Sequence, residues 1–72
     1  MKKYKNLHGD SGILSYEYDD YSITIQFKTK IYIYNISKIG SYHLQNMKSL
    51  ADKGYGLNEY INRNQDVKKG YS

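Results

Sequence analysis

The chain has no cysteine, no proline and no tryptophan in its 72 residues, and its one alanine is Ala51. Without cysteine there is no disulfide and no thiolate zinc site, and the absence suits a reducing compartment. No apolar run approaches the ~20 residues that a membrane-spanning helix requires. Met1-Lys2-Lys3-Tyr4-Lys5 is basic, but no apolar stretch follows it. It does not read as a secretory signal, and a soluble, cytoplasmic protein is expected. His8 and His43 stand far apart with no ligand spacing around them. Each reads as a solitary surface histidine, and no metal and no cofactor is expected. Acids are the minority charge, 7 Asp and Glu against 11 Lys and Arg, for a net +4 and a pI near 9.2. That balance favours an acidic partner: nucleic acid, a nucleotide or an acidic protein. Yet Lys, Asn, Ile and Tyr together make up about half of the chain. All four have A/T-rich codons, so position carries more information here than number.

The length suits one small domain. Such a domain buries only roughly 60% of the surface its unfolded chain exposes. Small domains usually add a disulfide, a metal or a partner subunit, so a homo-oligomer is expected.

Residues 1–10 read as a flexible basic arm, with Tyr4 and Leu7 its only apolar side chains able to dock on the domain. Gly9-Asp10-Ser11-Gly12 marks a turn. From Ile13 to Tyr18 the alternation predicts a strand with Leu14, Tyr16 and Tyr18 on one face. Asp19-Asp20 is a turn signal. Ser22 to Lys28 alternates again, with Ile23, Ile25 and Phe27 facing the core. Lys28-Thr29-Lys30 is a short polar interval that predicts a tight hairpin. The third strand, Ile31 to Ile36, is expected to turn Ile31 and Ile33 to the core and Tyr32 and Tyr34 away from it.

Ser37 or Ser41 can cap a helix. Leu44, Met47, Leu50 and Ala51 then recur at helical spacing, and Lys53-Gly54 supplies a cation in the last turn followed by a left-handed C′ glycine. Asn58 is expected to cap a short second helix running to about Gln65, with Leu57, Tyr60 and Ile61 facing the core. The stretch 66–72 reads as a frayed, basic tail.

These elements predict an α+β fold: a three-stranded antiparallel sheet covered on one face by an amphipathic helix, plus a short C-terminal helix. The single domain spans residues 11–65. Its expected core is Ile13, Ile23, Ile25, Phe27, Ile31, Ile33, Leu44, Met47, Leu50, Leu57 and Ile61. The opposite sheet face then carries Tyr16, Tyr18, Tyr32 and Tyr34.

Four short motifs stand in order: Ile13-Leu14-Ser15-Tyr16-Glu17-Tyr18-Asp19, Ile23-Thr24-Ile25-Gln26-Phe27, Tyr32-Ile33-Tyr34, and Gly54-Tyr55-Gly56-Leu57-Asn58-Glu59-Tyr60-Ile61. On these, residues 11–62 resemble the KTSC domain, a short module named after the C-terminus of certain lysyl-tRNA synthetases and also found free-standing in bacteria and phages. The chain departs from that pattern in places. Thr29-Lys30 replaces a glycine expected before the third strand, and Ser37 replaces a proline expected after it. Both hairpin connections are shorter than the pattern has, and the stretch between Ile36 and Leu44 is longer. The resemblance implies no established activity; its synthetase association suggests RNA binding.

The site candidates each carry two readings. Tyr32 and Tyr34 can stack unpaired bases, with Lys28, Lys30 and Lys38 beside them for phosphates, or can pack in a core or subunit interface. Gly54-Tyr55-Gly56 with Asn58 can form an anion-binding turn or simply join two helices. Glu17, Asp19 and Asp20 can hold a metal or do acid–base work, or can be turn residues. No nucleophile with an orienting base is present to make an enzyme. The expected function is a small non-enzymatic binding module. It takes single-stranded nucleic acid or another anionic ligand on a Tyr/Lys sheet face built from Tyr16, Tyr18, Tyr32, Tyr34, Lys28 and Lys30, with Arg63, Lys68 and Lys69 as further phosphate contacts. Two alternatives are weighed. One is a phage- or mobile-element-encoded inhibitor that binds a host defence protein or sequesters a nucleotide signal. The other is a homo-oligomeric structural module whose tyrosine face is the subunit contact.

Overall fold

In the computed structural model, which describes residues 1–7, 9 and 12–71, the chain folds as a four-stranded antiparallel sheet under three helices. The strands β1 (Lys2–Lys3), β2 (Ile13–Tyr18), β3 (Ser22–Phe27) and β4 (Ile31–Asn35) lie in that spatial order. Helices α1 (Ile36–Lys53), α2 (Leu57–Arg63) and α3 (Gln65–Lys68) follow. The α+β class is the one expected, but the sheet gains a strand from the segment read as a flexible arm. Lys2 pairs with Tyr16 and Lys3 with Ser15. Tyr4 is buried behind that strand, its ring edge-on to Tyr16 at 6.5 Å. Its Oη accepts a 3.4 Å hydrogen bond from Leu57 N. The expectations for His8, Asp10 and Ser11 lie outside the described residues.

Both hairpins close with two residues at the tip. In the first, Asp19 Oδ1 accepts from the backbone N–H groups of Tyr21 and Ser22, each at 2.9 Å, which is the side-chain turn expected of aspartate. In the second, Phe27 N donates to Lys30 O at 2.7 Å, and Gln26 lies opposite Ile31. The tip is therefore Lys28-Thr29. This register corrects the largest expectation about the sheet. A three-residue interval would set Phe27 opposite Ile31 and bring all the isoleucines to one face. The two-residue tip shifts the pairing by one, and a shift of one turns every side chain of a strand to the other face. Ile25 is thus opposite Tyr32 and Ile23 opposite Tyr34, while on the other side Tyr16 is opposite Ile25 and Tyr18 opposite Ile23. The four tyrosines do share a face, but it is the face the helices cover. Tyr34 is 2% exposed, whereas Ile31 and Ile33 are 56% and 42% exposed on the open side. A register shift between Ile13 and Ser15 brings Ile13 back to the covered side, opposite Phe27, and leaves Leu14 exposed.

Asn35, not Ser37 or Ser41, caps α1: its Oδ1 accepts from Ser37 N at 2.9 Å. The first turn seats Ile39 in the core; the helix then breaks at Gly40, whose φ of +83° and ψ of 159° no other residue adopts easily. From Ser41 on, the expected stripe holds, with Leu44, Met47 and Ala51 buried. Gly54 ends α1 in the left-handed conformation, its N–H reaching Leu50 O. Gly56 precedes α2, so Asn58 lies inside that helix rather than capping it. The segment read as a frayed tail is ordered: α3 buries Val67 completely, and Tyr71 makes an isolated antiparallel bridge to Tyr34. Tyr4, Tyr16, Tyr34, Ile39, Ala51 and Val67 join the expected core, and Ile31 and Ile33 leave it. No helix among the described residues is long and apolar enough to cross a membrane.

Candidate functional site

The helix layer splits the tyrosines into two pairs with different surroundings. Beneath the C-terminal end of α1, Tyr16 and Tyr18 stack at 6.2 Å and both donate to Asp52, at 2.7 Å to Oδ1 and 2.7 Å to Oδ2 respectively. The two donors hold the Asp52 carboxyl below the ordinary carboxylate range. Burial first, then the Asp52 contact, pushes the Tyr16 phenol up to about 12. Lys48 Nζ lies 5.2 Å over the Tyr18 ring. Both hydroxyls of this pair tie β2 to α1 through Asp52, and neither ring lines the cleft formed by the other pair.

The other pair opens into a cleft. Tyr32 and Tyr34, with Phe27, form a wall under α2 and α3, and the cleft of about 710 Å³ is completed by Asn58, Ile61, Asn62, Gln65, Lys68, Lys69 and Tyr71. Its volume falls within the range of small-molecule pockets, ~300–1,000 Å³. The wall is continuous. Phe27 and Tyr32 meet edge-on at 5.6 Å, Tyr32 and Tyr34 at 6.4 Å, and Tyr71 lies against Tyr32 with ring centroids 4.0 Å apart. Burial, and secondarily the neighbouring Tyr32 and Tyr71, push the Tyr34 phenol up to about 12, so it remains a neutral donor at all ordinary pH. Lys30 Nζ stands 6.0 Å over the Tyr32 ring. At the other end Lys68 and Lys69, exposed cations on and just beyond α3, line the rim.

Of the residues expected to bind, Tyr32, Tyr34, Asn58, Lys68 and Lys69 line this cleft, and Lys30 lies over its aromatic wall. Lys28 is at the exposed hairpin tip. Arg63 points away from the cleft in an i,i+4 ion pair with Glu59. Gly54 and Tyr55 also stand apart from it. Gly54 O accepts from Leu7 N at 2.8 Å, and the Leu57 N–H that opens α2 is taken by the Tyr4 hydroxyl. The glycine turn is thus a joint clamped by the N-terminal segment. The acidic cluster at Asp19 is likewise a turn, and no group of three or more His, Asp or Glu side chains able to hold a metal occurs among the described residues. His43 is not a solitary surface residue: its Nδ1 is 2.6 Å from Tyr60 Oη, which also accepts from Asn46 Nδ2 at 3.2 Å. That contact pins α1 to α2.

Sequence reasoning missed Phe27, Ile61, Asn62, Gln65 and Tyr71 as cleft residues. One signal was present: Asn58 and Asn62, four apart, share a face of α2, whereas Gln65 lies beyond the extended Asn64 that ends that helix. Tyr71 had none, being an aromatic in a polar stretch. No family model matches the chain, and neither a curated protein nor a solved structure is significantly similar to it.

Proposed function

We propose that the protein is a small non-enzymatic binding module whose tyrosine-walled cleft takes an anionic, nucleotide-like ligand. One observation carries this reading: Tyr32, Tyr34 and Tyr71 share a single concavity with Lys68 and Lys69. Aromatic faces accept planar rings with ~1–3 kcal/mol per stacked base, and paired lysines at a rim complement phosphate. The helices that roof the tyrosine face favour a compact ligand at the open cleft over a strand laid across the sheet. Holding a ligand without transforming it is sequestration, which agrees with the basic charge. The ordered motifs that resemble the KTSC domain agree with a binding role as well.

Calorimetric titration with nucleoside diphosphates and with a short single-stranded oligonucleotide tests this. Nucleotide binding that weakens with added salt and is lost in Tyr71→Ala/Lys69→Ala is expected. A chain that binds neither ligand at millimolar concentration overturns the proposal.

A second reading, a homo-oligomer, draws on the opposite side of β4. That strand is at the sheet edge, its outer side carries the single bridge to Tyr71, and Ile31 and Ile33 are exposed beside it. Because Tyr71 already covers part of that edge, the reading rests on the exposed Ile31 and Ile33 of the open face, the kind of apolar surface that marks a protein contact.

A further inference from the structure

The cleft does not end at its cationic rim. A second hollow of about 470 Å³ adjoins it, lined by Lys38, Ile39, Asp66, Lys69 and Gly70. Lys69 borders both cavities, and Tyr71, two residues on, belongs to the first. Gly70 stands between them in the chain and brings no side chain to the divide. None fits there, because a Cβ built on Gly70 would lie 2.6 Å from Ile39 Cγ2 and 2.9 Å from Asp66 O. Each volume falls within the ~300–1,000 Å³ of small-molecule sites. Together they offer room for a ligand of two units joined near Lys69.

The two cavities differ in chemistry. Among the described residues, the first has an aromatic wall, two lysines and no acid. The second has no aromatic ring and sets Asp66 beside Lys38 and Lys69. An anion by itself would choose the first, because the Asp66 carboxylate opposes it in the second. A carboxylate suits a hydroxyl donor instead, as where an acid accepts from a ribose hydroxyl in dinucleotide sites. Asp66 is exposed, and among the described residues no hydrogen bond or ion pair occupies its carboxylate. The Tyr32 and Tyr71 ring centroids, 4.0 Å apart, leave no room for a base between them, so a ring entering the cleft stacks on the exposed part of Tyr71. Its phosphate then reaches Lys69, and whatever that phosphate carries on its far side enters the second hollow.

We infer that the ligand is a dinucleotide, with one base stacked on Tyr71 in the cleft, the bridging phosphate at Lys69, and the second nucleoside in the adjoining hollow, its sugar hydroxyl donating to Asp66. This rests on the binding reading above and adds the size and linkage of the ligand. It leaves the bases open.

The test is calorimetric titration of the full chain with ApA, AMP and ApApA, the adenines serving only as large stacking rings. Wild type, Asp66→Ala and Lys69→Ala are compared, each first checked by a thermal melt. ApA carries a single diester charge, whereas the phosphate of AMP bears about −1.5 to −2 at neutral pH, so charge alone favours AMP. The expected order is the reverse, with ApA about tenfold tighter than AMP and ApApA no tighter than its two overlapping registers allow. Asp66→Ala should weaken ApA about fivefold and leave AMP equal or slightly tighter, because for AMP it removes only a repulsion. Lys69→Ala should weaken both. If AMP binds as tightly as ApA, or ApApA gains a further tenfold or so, or Asp66→Ala fails to weaken ApA selectively, the dinucleotide inference is overturned while the anionic cleft stands. If none of the three ligands binds, the inference and the function it rests on both fail.

Discussion

At the residue scale, two glycines separate backbone strain from steric exclusion. Gly54 has φ +84°, and a Cβ built on it would lie 2.5 Å from the Cβ of Lys5; Gly40 has φ +83° with nothing near its added Cβ. Alanine at Gly40 should cost about 1–3 kcal/mol, the ordinary penalty for such a conformation. Alanine at Gly54 should cost more. Asparagine at Gly54, although it tolerates the left-handed region, should not rescue it, because the clash with Lys5 remains. Urea midpoints of the three variants check this. Asp52 gives a pH signature. Its carboxyl is held low by Tyr16 and Tyr18, so its contribution is full above the unfolded value of about 4 and disappears as pH falls through the folded one. Urea melts between pH 2 and 7 should show a shallower acid loss in Asp52→Asn than in wild type. Asp19, held low by the Tyr21 and Ser22 N–H groups, should supply a remaining part of that loss. At the alkaline end the raised Tyr16 phenol acts in the opposite sense. Its contribution is present below about 10 and is lost as pH climbs toward its folded value.

At the element scale, the contrast lies between periodic segments and short ones. Strands β2 and β3 and the body of α1 announce themselves by alternation and by three-and-four spacing, and the structure has them within a residue or two of expectation. The β4 register does not announce itself. Tyr32, Ile31, Ile33 and Tyr34 are all apolar enough for either face, and only the two-residue tip at Lys28-Thr29 decides between them. Strand β1 and helix α3 are too short and too polar to show a period; they exist because Tyr4 and Val67 find places in a core built by other elements. Val67 is fully buried. Val67→Ala should therefore cost about 1.5 kcal/mol or more, from two buried carbon groups and a cavity. Lys68→Ala should leave stability unchanged within about 0.5 kcal/mol. Equal melts for the two variants would mean that α3 does not pack as described.

At the scale of the whole molecule, one sheet face is roofed and the other is open, and the two halves of the open question sit on different sides. The cleft belongs to the roofed side and the oligomer reading to the open side, so their tests are independent. Light scattering should give a mass that rises with concentration, and Ile33→Lys, which places a charge on the exposed strand, should reduce it to that of one chain without altering nucleotide titrations. A constant single-chain mass in wild type would remove the oligomer reading. The sequence by itself determined the α+β class, the three long strands, the amphipathic helix, its glycine stop and the basic charge, because each depends on local periodicity or on composition. It also marked Tyr32, Tyr34 and Asn58 as worth following. Tertiary structure alone decided which way the tyrosines face, that Asp52 occupies one pair of them, and that Asn62, Gln65 and Tyr71 meet the other pair across a cleft. The physical reason is that side-chain direction in a sheet has a period of two, so one residue more or less in a hairpin tip inverts a face. Only the closed register and the packing of α2 and α3 above it bring residues nearly forty positions apart into one site.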